Sequence, residues 1–405
     1  MRYLLGARVL AGSSLAPIPG GAVAVDGPRI DWVGTAAQAR DRAAPADSIE
    51  DLGDVTILPG LIDSHVHLGF DGGPDPVARM KRETDAQQLV LMLRSARELL
   101  SAGVTTARDL GARSFLDIAV RDAIAAGDAR GPRMVVANRP ITLTGGHCWF
   151  MGAECDDETA VRTMVRLHHK MGADCIKVMS TGGFMTAGSA PWHAQFTERE
   201  LRAAVDEAHR LGKRVAAHGH GLEGIRRAVA AGVDTIEHCS FAIEGAVGEA
   251  AFDPAAADAI AEAGIAVCPT INVNTLRNRE TTGRRFASRL MSLIEHGVTI
   301  IAGADAGITN AAHRNYVGGL EAMSHFGMSA PEVLRAATVR AAEALGVDQA
   351  TGTLEAGKDA DLLAVAGDPA ASISALHDTR LIMARGVDYQ PEFAGERVLG
   401  AGAGG

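Results

Sequence analysis

With 405 residues, 47% of them hydrophobic and 22% charged, the chain has the composition of a globular protein; it is long for one ordinary core but within the range of α/β barrels. A formal net charge of -10 without any basic run argues against nucleic acid as a partner, and no stretch approaches the roughly 18 uninterrupted apolar residues that a membrane span needs. Five cysteines (Cys148, Cys155, Cys175, Cys239 and Cys268) form no CxxC pair, so they read as scattered thiols and the expected location is the cytoplasm.

The N-terminal "MRYLLGARVLAGSSLAPIPGG" imitates a leader, but Gly6 and Arg8 break its apolar run and a strand reading fits better. Residues 1 to about 55 read as short strands and turns. From Val55 to about Leu345, short apolar runs alternate with helical patterns, beginning with "VTILPGLIDSHVHL" and ending with "TIIAGADAG". In "TERELRAAVDEAHRLG", Thr197 and Glu200 have capping-box spacing, and Leu201, Val205 and Ala208 line one face. Glycines such as Gly103, Gly172, Gly212, Gly232, Gly264 and Gly297 stand where helices should close. Eight strand–helix units imply parallel pairing with right-handed crossovers, closing most economically into a (β/α)8 TIM barrel. The last segments, "GTLEAGKDADLLAVAG" and "TRLIMARGVDY", return to short strands. The expected organisation is an α/β protein with a barrel over residues 58–349 and a small composite β-sandwich domain from residues 1–57 and 350–405. The tail "GAGAGG" is expected to be disordered.

Strand side chains alternate faces, so His65 and His67 point the same way near the C-terminal end of the first barrel strand, where barrels carry their active sites. Two imidazoles there suit zinc or a similar divalent ion, although HxH alone is weak and each histidine could be structural. The other strand ends strengthen the case: strand five ends in His218 and His220, strand six in His238 and strand eight in Asp305. Strand four adds Lys177 in "CIKVMSTGG". A lysine between Ile and Val is costly to bury unless it has a role or an ion-pair partner. "GHGLEG" matches GxGxxG, but a tight turn beside the histidines explains its glycines better than dinucleotide binding. His168, His169 and His209 lie on amphipathic helices and are expected to be solvated.

"PGLIDSHVHL", "IKVMSTGG", "AAHGHG", "IEHCS" and "GADAG" resemble the amidohydrolase superfamily, nearest its imidazolonepropionase-like, prolidase-type (Xaa-Pro dipeptidase-like) branch of binuclear metal hydrolases. The likeness runs through "GTLEAGKDADLLAV" and so over nearly the whole chain. It implies that His65, His67 and Asp305 bind one divalent ion and that His218 and His238 bind a second, with zinc the first choice for both. Lys177, carboxylated by CO2, would bridge them, and Asp305 would move protons as the catalytic general base and acid for a shared hydroxide. The implied reaction is hydrolysis of an amide or peptide bond in a small carboxylate-bearing substrate, a dipeptide or an N-acyl amino acid. A non-peptide carbamate, urea, lactone or toxin-like amide is the alternative, and a non-catalytic scaffold the remote one. Homo-oligomer formation is left open.

Substrate contacts are expected from His147 and Trp149 past strand three, from His220, and from Trp192 with His193 in the Gly182–Gln195 loop, a candidate lid. Arg108 could hold a substrate carboxylate bidentately, or pair internally with Asp109 or another neighbour. Arg314, Asn315 and Tyr316 follow strand eight and are further candidates. Between Pro269 and Asp305 the chain is shorter than in many relatives, and a modest loop with one helix is expected there.

Overall fold

The computed structural model describes residues 1–246 and 251–399; the tail expected to be disordered lies outside them. The strands of the repeated strand–helix units fall into two sheets, one ordered Arg133–Val136, Val104–Asp109, Leu61–Val66, and one ordered Ile176–Met179, Val215–Gly221, Thr235–Ala242, Ala266–Cys268. Every pairing inside them is parallel, as strand–helix–strand units require. Among the described residues no continuous ladder joins the two sheets; isolated parallel bridges Ile141↔Val178, Val267↔Ile300 and Val66↔Ala306 span the gaps. The architecture is a TIM barrel.

The segment expected as strand eight is held by a different device. The Asp63 carboxylate accepts from the backbone N–H groups of both His65 and Ala304, taking the place of a ladder bond between first and eighth segments. Backbone bonds from Ser64 to Ala302 and from His67 to Ala306 complete the attachment. Burial pushes the Asp63 carboxyl up to about 8, although these two bonds pull it down.

"VTILPGLIDSHVHL" is two strands rather than one. Val55–Pro59 pairs in an antiparallel arrangement with Leu362–Ala366, and Leu61–Val66 begins the barrel. The break is Gly60, where a Cβ would meet the Thr105 side chain at 2.1 Å, so only glycine lets the chain pass. Strands from both termini share a six-stranded sheet, ordered Val387–Tyr389, Thr379–Ala384, Leu362–Ala366, Val55–Pro59, Arg8–Ala11, Ala16–Pro19. A four-stranded sheet of Arg29–Thr35, Gly21–Asp26, Arg2–Leu5 and Ser48–Asp51 adds to the same end, and one apolar cluster with Leu4, Val23, Ile57 and Leu362 draws on both sheets.

Thr197 caps its helix with the reciprocal Glu200 bonds that the spacing predicts. The six helix-closing glycines all have positive φ. Between the seventh strand and Asp305 there are two helices, Val273–Arg277 and Thr282–Glu295, where one was expected. A short asparagine-capped turn precedes the longer helix, and its cap, Asn272, was not recognised as a start signal. His168 is another correction. It is fully buried, following Val161 and Val165 on the inner face of Glu158–Met171, whereas His169 beside it is exposed.

Candidate metal centre and active site

His65, His67, Lys177, His218, His238 and Asp305 all line one cavity of about 530 Å³. The Nε2 atoms of His65 and His67 approach Asp305 Oδ1 at 3.5 and 3.2 Å. Candidate ligand atoms of His65, His238 and Asp305 lie within 4.8 Å of one another, and so do those of His218, His220 and His238. His238 and Asp305 both adopt left-handed backbone, φ 69° and 51°, a strained conformation that concentrates at functional sites.

Each of four histidines has a partner that fixes which nitrogen faces inward. His65 Nδ1 lies 2.8 Å from Glu237 Oε2; a carboxylate only accepts, so Nδ1 carries the proton and Nε2 presents a lone pair. His67 Nδ1 does the same toward the Gly111 carbonyl at 3.3 Å. His238 Nδ1 sits 2.9 Å from Thr270 Oγ1, whose own proton goes to the Pro269 carbonyl, so the imidazole is again the donor. His218 is reversed: Nε2 donates to the Gly182 carbonyl at 3.0 Å, leaving Nδ1 to accept. Lone pairs fixed by a second partner are what metal-binding imidazoles require.

The electrostatics agree. Burial lowers the His65 pKa to about 4, with Lys177 adding to the effect, and burial holds His218 and His238 well below their ordinary value. These three are neutral at pH 7. Burial opposes ionisation of Asp305, but His65 and His67 outweigh it and hold the carboxyl at about 2. Glu237 is likewise ionised despite complete burial, held well below the carboxylate range chiefly by Arg108 and then by His65.

Lys177 provides the fit test for a bridged pair of ions. Its Nζ is buried and has no hydrogen-bond partner among the described residues. Burial lowers its pKa, although Glu237 and Asp305 oppose this. A lone buried ammonium is expensive, whereas a carboxylated amine between two cations is not. The nitrogen- and oxygen-donor set around it fits divalent ions of the zinc type.

Of the expected substrate contacts, His147 and His220 do line the cavity; their rings each stand 4.6 Å from that of His218, and burial lowers their pKa values to about 4 and about 3. His220 nitrogen is also within ligand reach of His218 and His238. Arg108 is corrected. It does not line the cavity; 2% exposed, it donates to Glu237 Oε1, the Ser64 carbonyl and Thr235 Oγ1, so it holds Glu237 rather than a substrate. Trp149 and Trp192 do not line the cavity; Trp149 stacks outside it under Lys81. Arg314 pairs with Glu98, Asn315 caps the Glu396 N–H, and Tyr316 donates to the Ile62 carbonyl, so all three serve packing.

The sequence reading missed Glu237, Thr270, Phe184 and Arg289. Glu237 had a signal, a carboxylate in the apolar run next to His238. Phe184, in the Gly182–Gln195 loop, is 70% exposed yet lines the cavity and meets the His220 ring edge-on at 5.0 Å.

Comparison with known proteins gives a consistent result. The profile described as "Amidohydrolase family" matches residues 56–387. Ochratoxinase of Aspergillus niger is 29% identical over 365 residues, covering 80% of this chain and 73% of its own. Imidazolonepropionase of Micrococcus luteus is 29% identical over 375 residues, covering 84% and 86%. A crystal structure of a Xaa-Pro dipeptidase with methionine bound superposes with a TM-score of 0.86 at 29% identity, covering 96% of this chain and 99% of that one.

Proposed function

This chain belongs to the amidohydrolase family and is a hydrolase acting on C–N bonds, and from that premise we propose that it is a binuclear metal-dependent enzyme cleaving the amide or peptide bond of a small carboxylate-bearing substrate, a dipeptide or an N-acyl amino acid. The observation that carries this reading is the buried, partnerless Lys177 amine in a cavity ringed by tautomer-fixed histidines. His65, His67 and Asp305 would hold one ion, His218 and His238 the other, and carboxylated Lys177 both. Two zinc ions there would supply Lewis acidity toward a carbonyl oxygen and make water more acidic.

The protein groups do the rest. The lowered Lys177 pKa favours the free amine, which adds CO2 and releases a proton to give the carbamate. Glu237, clamped by Arg108 and Thr235, keeps the His65 proton on Nδ1. The ionised Asp305 carboxylate takes a proton from the attacking water and returns it to the leaving nitrogen, general base then general acid. The likeness to the dipeptidase supports a carboxylate-bearing substrate. Likeness to an ochratoxinase favours the second reading, a toxin-like amide or another non-peptide bond such as a carbamate, urea or lactone. Under the same proposal the sheets of the two termini form a β-sandwich domain beside the barrel.

The test is amine release from Xaa-Pro dipeptides, other dipeptides and N-acyl L-amino acids, with protein reconstituted in zinc and bicarbonate and a chelated control. Chelator-sensitive turnover is expected, with two ions per chain by elemental analysis. Silence from fully loaded protein would move the assignment to the non-peptide substrates, and protein that retains no stoichiometric ion would be a scaffold.

A further inference from the structure

Two fully buried carboxylates take no part in the chemistry above: Asp109, at the end of the strand Val104–Asp109, and Asp117, in the first turn of the helix Leu116–Ala126. The equally buried Glu237 is paired with Arg108, whereas neither aspartate forms an ion pair with a side chain among the described residues. A carboxylate buried without a cation is costly, and hydrogen bonds must offset that cost. The bonds these two make converge on one turn.

Asp109 Oδ1 accepts from the Gly111 N–H at 3.0 Å, and its Oδ2 accepts from the Leu68 N–H at 3.2 Å. One side chain thereby ties the turn after its own strand to the residue that follows His67. Asp117 holds the same turn from further off. Its carboxylate accepts from Asn138 N–H and Nδ2, and the Asn138 carbonyl accepts from Ala112 N–H at 3.1 Å. Between these attachments lies the Gly111 carbonyl, the acceptor for His67 Nδ1. That carbonyl and the Ala112 N–H belong to one peptide group, so the bond to Asn138 makes the carbonyl a better acceptor. Gly111 has to be glycine: a Cβ there would stand 2.9 Å from both Cε1 and Nδ1 of the His67 ring. Asp109 has to be a carboxylate, because an asparagine would turn its NH2 toward one of the two N–H groups.

Deepening the metal-centre reading above, and resting on it, we infer that Asp109 is the positioning residue of His67: through the Gly111 turn it fixes the place of the imidazole and keeps the proton on Nδ1, as Glu237 does directly for His65. The two histidines of the HVH pair are thus oriented by separate carboxylates, one by direct contact and one through backbone. The ion that His65, His67 and Asp305 would hold then depends on Asp109, and the ion of His218 and His238 does not.

The experiment uses the full chain with 15N-labelled histidine. In metal-free protein, ring 15N shifts report which nitrogen carries the proton, and the signals missing from His67→Gln identify the His67 ring. Wild-type His67 should carry its proton on Nδ1. In Asp109→Asn that ring should populate both tautomers while the other rings keep the wild-type pattern. Zinc titration against a chromophoric chelator should show one ion bound about 10- to 100-fold more weakly and the other as in wild type. Gly111→Ala, which crowds the ring from the same turn, should give the same one-ion loss. An unchanged His67 tautomer in Asp109→Asn, no weakening of either ion, or equal weakening of both would each overturn the inference; equal weakening is what a merely structural aspartate would give. If Asp109→Asn does not fold, Gly111→Ala decides, and its failure to weaken one ion selectively overturns the inference. A wild-type chain that binds no ion would bring down the metal-centre reading instead, and the tautomer measurement would still decide the role of Asp109.

Discussion

Two regions of this protein bury histidine, and they do so differently. At the C-terminal ends of the barrel strands, His65, His67, His218 and His238 each give one ring nitrogen to a neighbour and turn the other into a shared cavity. In the helix layer, His168 is just as buried, but neither ring nitrogen has a hydrogen-bond partner among the described residues, and its nearest ring contact is the edge of Phe115 at 5.9 Å. Burial is common to both regions, and a depressed pKa is common to His65, His218, His238 and His168, so neither marks a site. A fixed tautomer pointing into a cavity does. The strand-end histidines belong to a network whose parts depend on one another, whereas His168 is a core residue with an uncompensated polar ring.

That contrast predicts unequal losses. The largest belongs to Lys177→Ala, which should lose bound metal and activity together, by more than the roughly 100-fold typical of a supporting group. Asp305→Asn should retain some metal while losing turnover. Elemental analysis alongside kcat separates the two, and full activity in Lys177→Ala would break the binuclear reading. Next comes Glu237→Gln. Its amide can offer N–H as well as oxygen to His65 Nδ1, so the tautomer is no longer dictated, and a buried ion pair with Arg108 is broken at the same time. Metal affinity should fall about 10- to 100-fold, read by competition with a chromophoric chelator. Unchanged affinity would mean that the partner of His65 is merely packing.

The same contrast explains what could be read from the sequence. Ligand candidates were legible because a parallel strand has period two and a barrel presents one end: HVH, HGH, the isolated lysine and the aspartate of "GADAG" each stand in or just after an apolar run that reads as a barrel strand. Arg108 was misread because the same rule gives its face but not its depth. Its buried guanidinium meets Glu237 rather than solvent. Thr270 and Arg289 were invisible because they come from turns and a helix whose relation to the floor is tertiary. The positive φ values at His238, Thr270 and Asp305 also break the alternation on which strand reading depends. His168 was legible in principle. It follows Val161 and Val165 at i+7 and i+3, on the stripe that faces the barrel, but the pair with exposed His169 was taken as a solvated face.

His168 also supplies the smallest effect and the sharpest test of the contrast. Burial, with the Arg139 charge second, lowers its pKa to about 3 from an ordinary 6.5. Between those values the unfolded chain takes up a proton that the folded chain refuses, so the folded state loses stability as pH falls from about 6.5 toward 3 and is unaffected above that window. At pH 5 the loss from this one ring amounts to about 2 kcal/mol. His168→Leu removes the proton site and replaces two unpartnered nitrogens with a side chain of similar size. The variant should be as stable as wild type or slightly more so at pH 7.5, and it should lose less stability on acidification, with metal content and turnover at pH 7.5 unchanged. Parallel denaturant titrations at pH 7.5 and pH 5 check this. If the acid loss were equal in the two proteins, His168 would have to be partnered or solvated after all, and the distinction between a core histidine and a poised one would fail where it is most exposed.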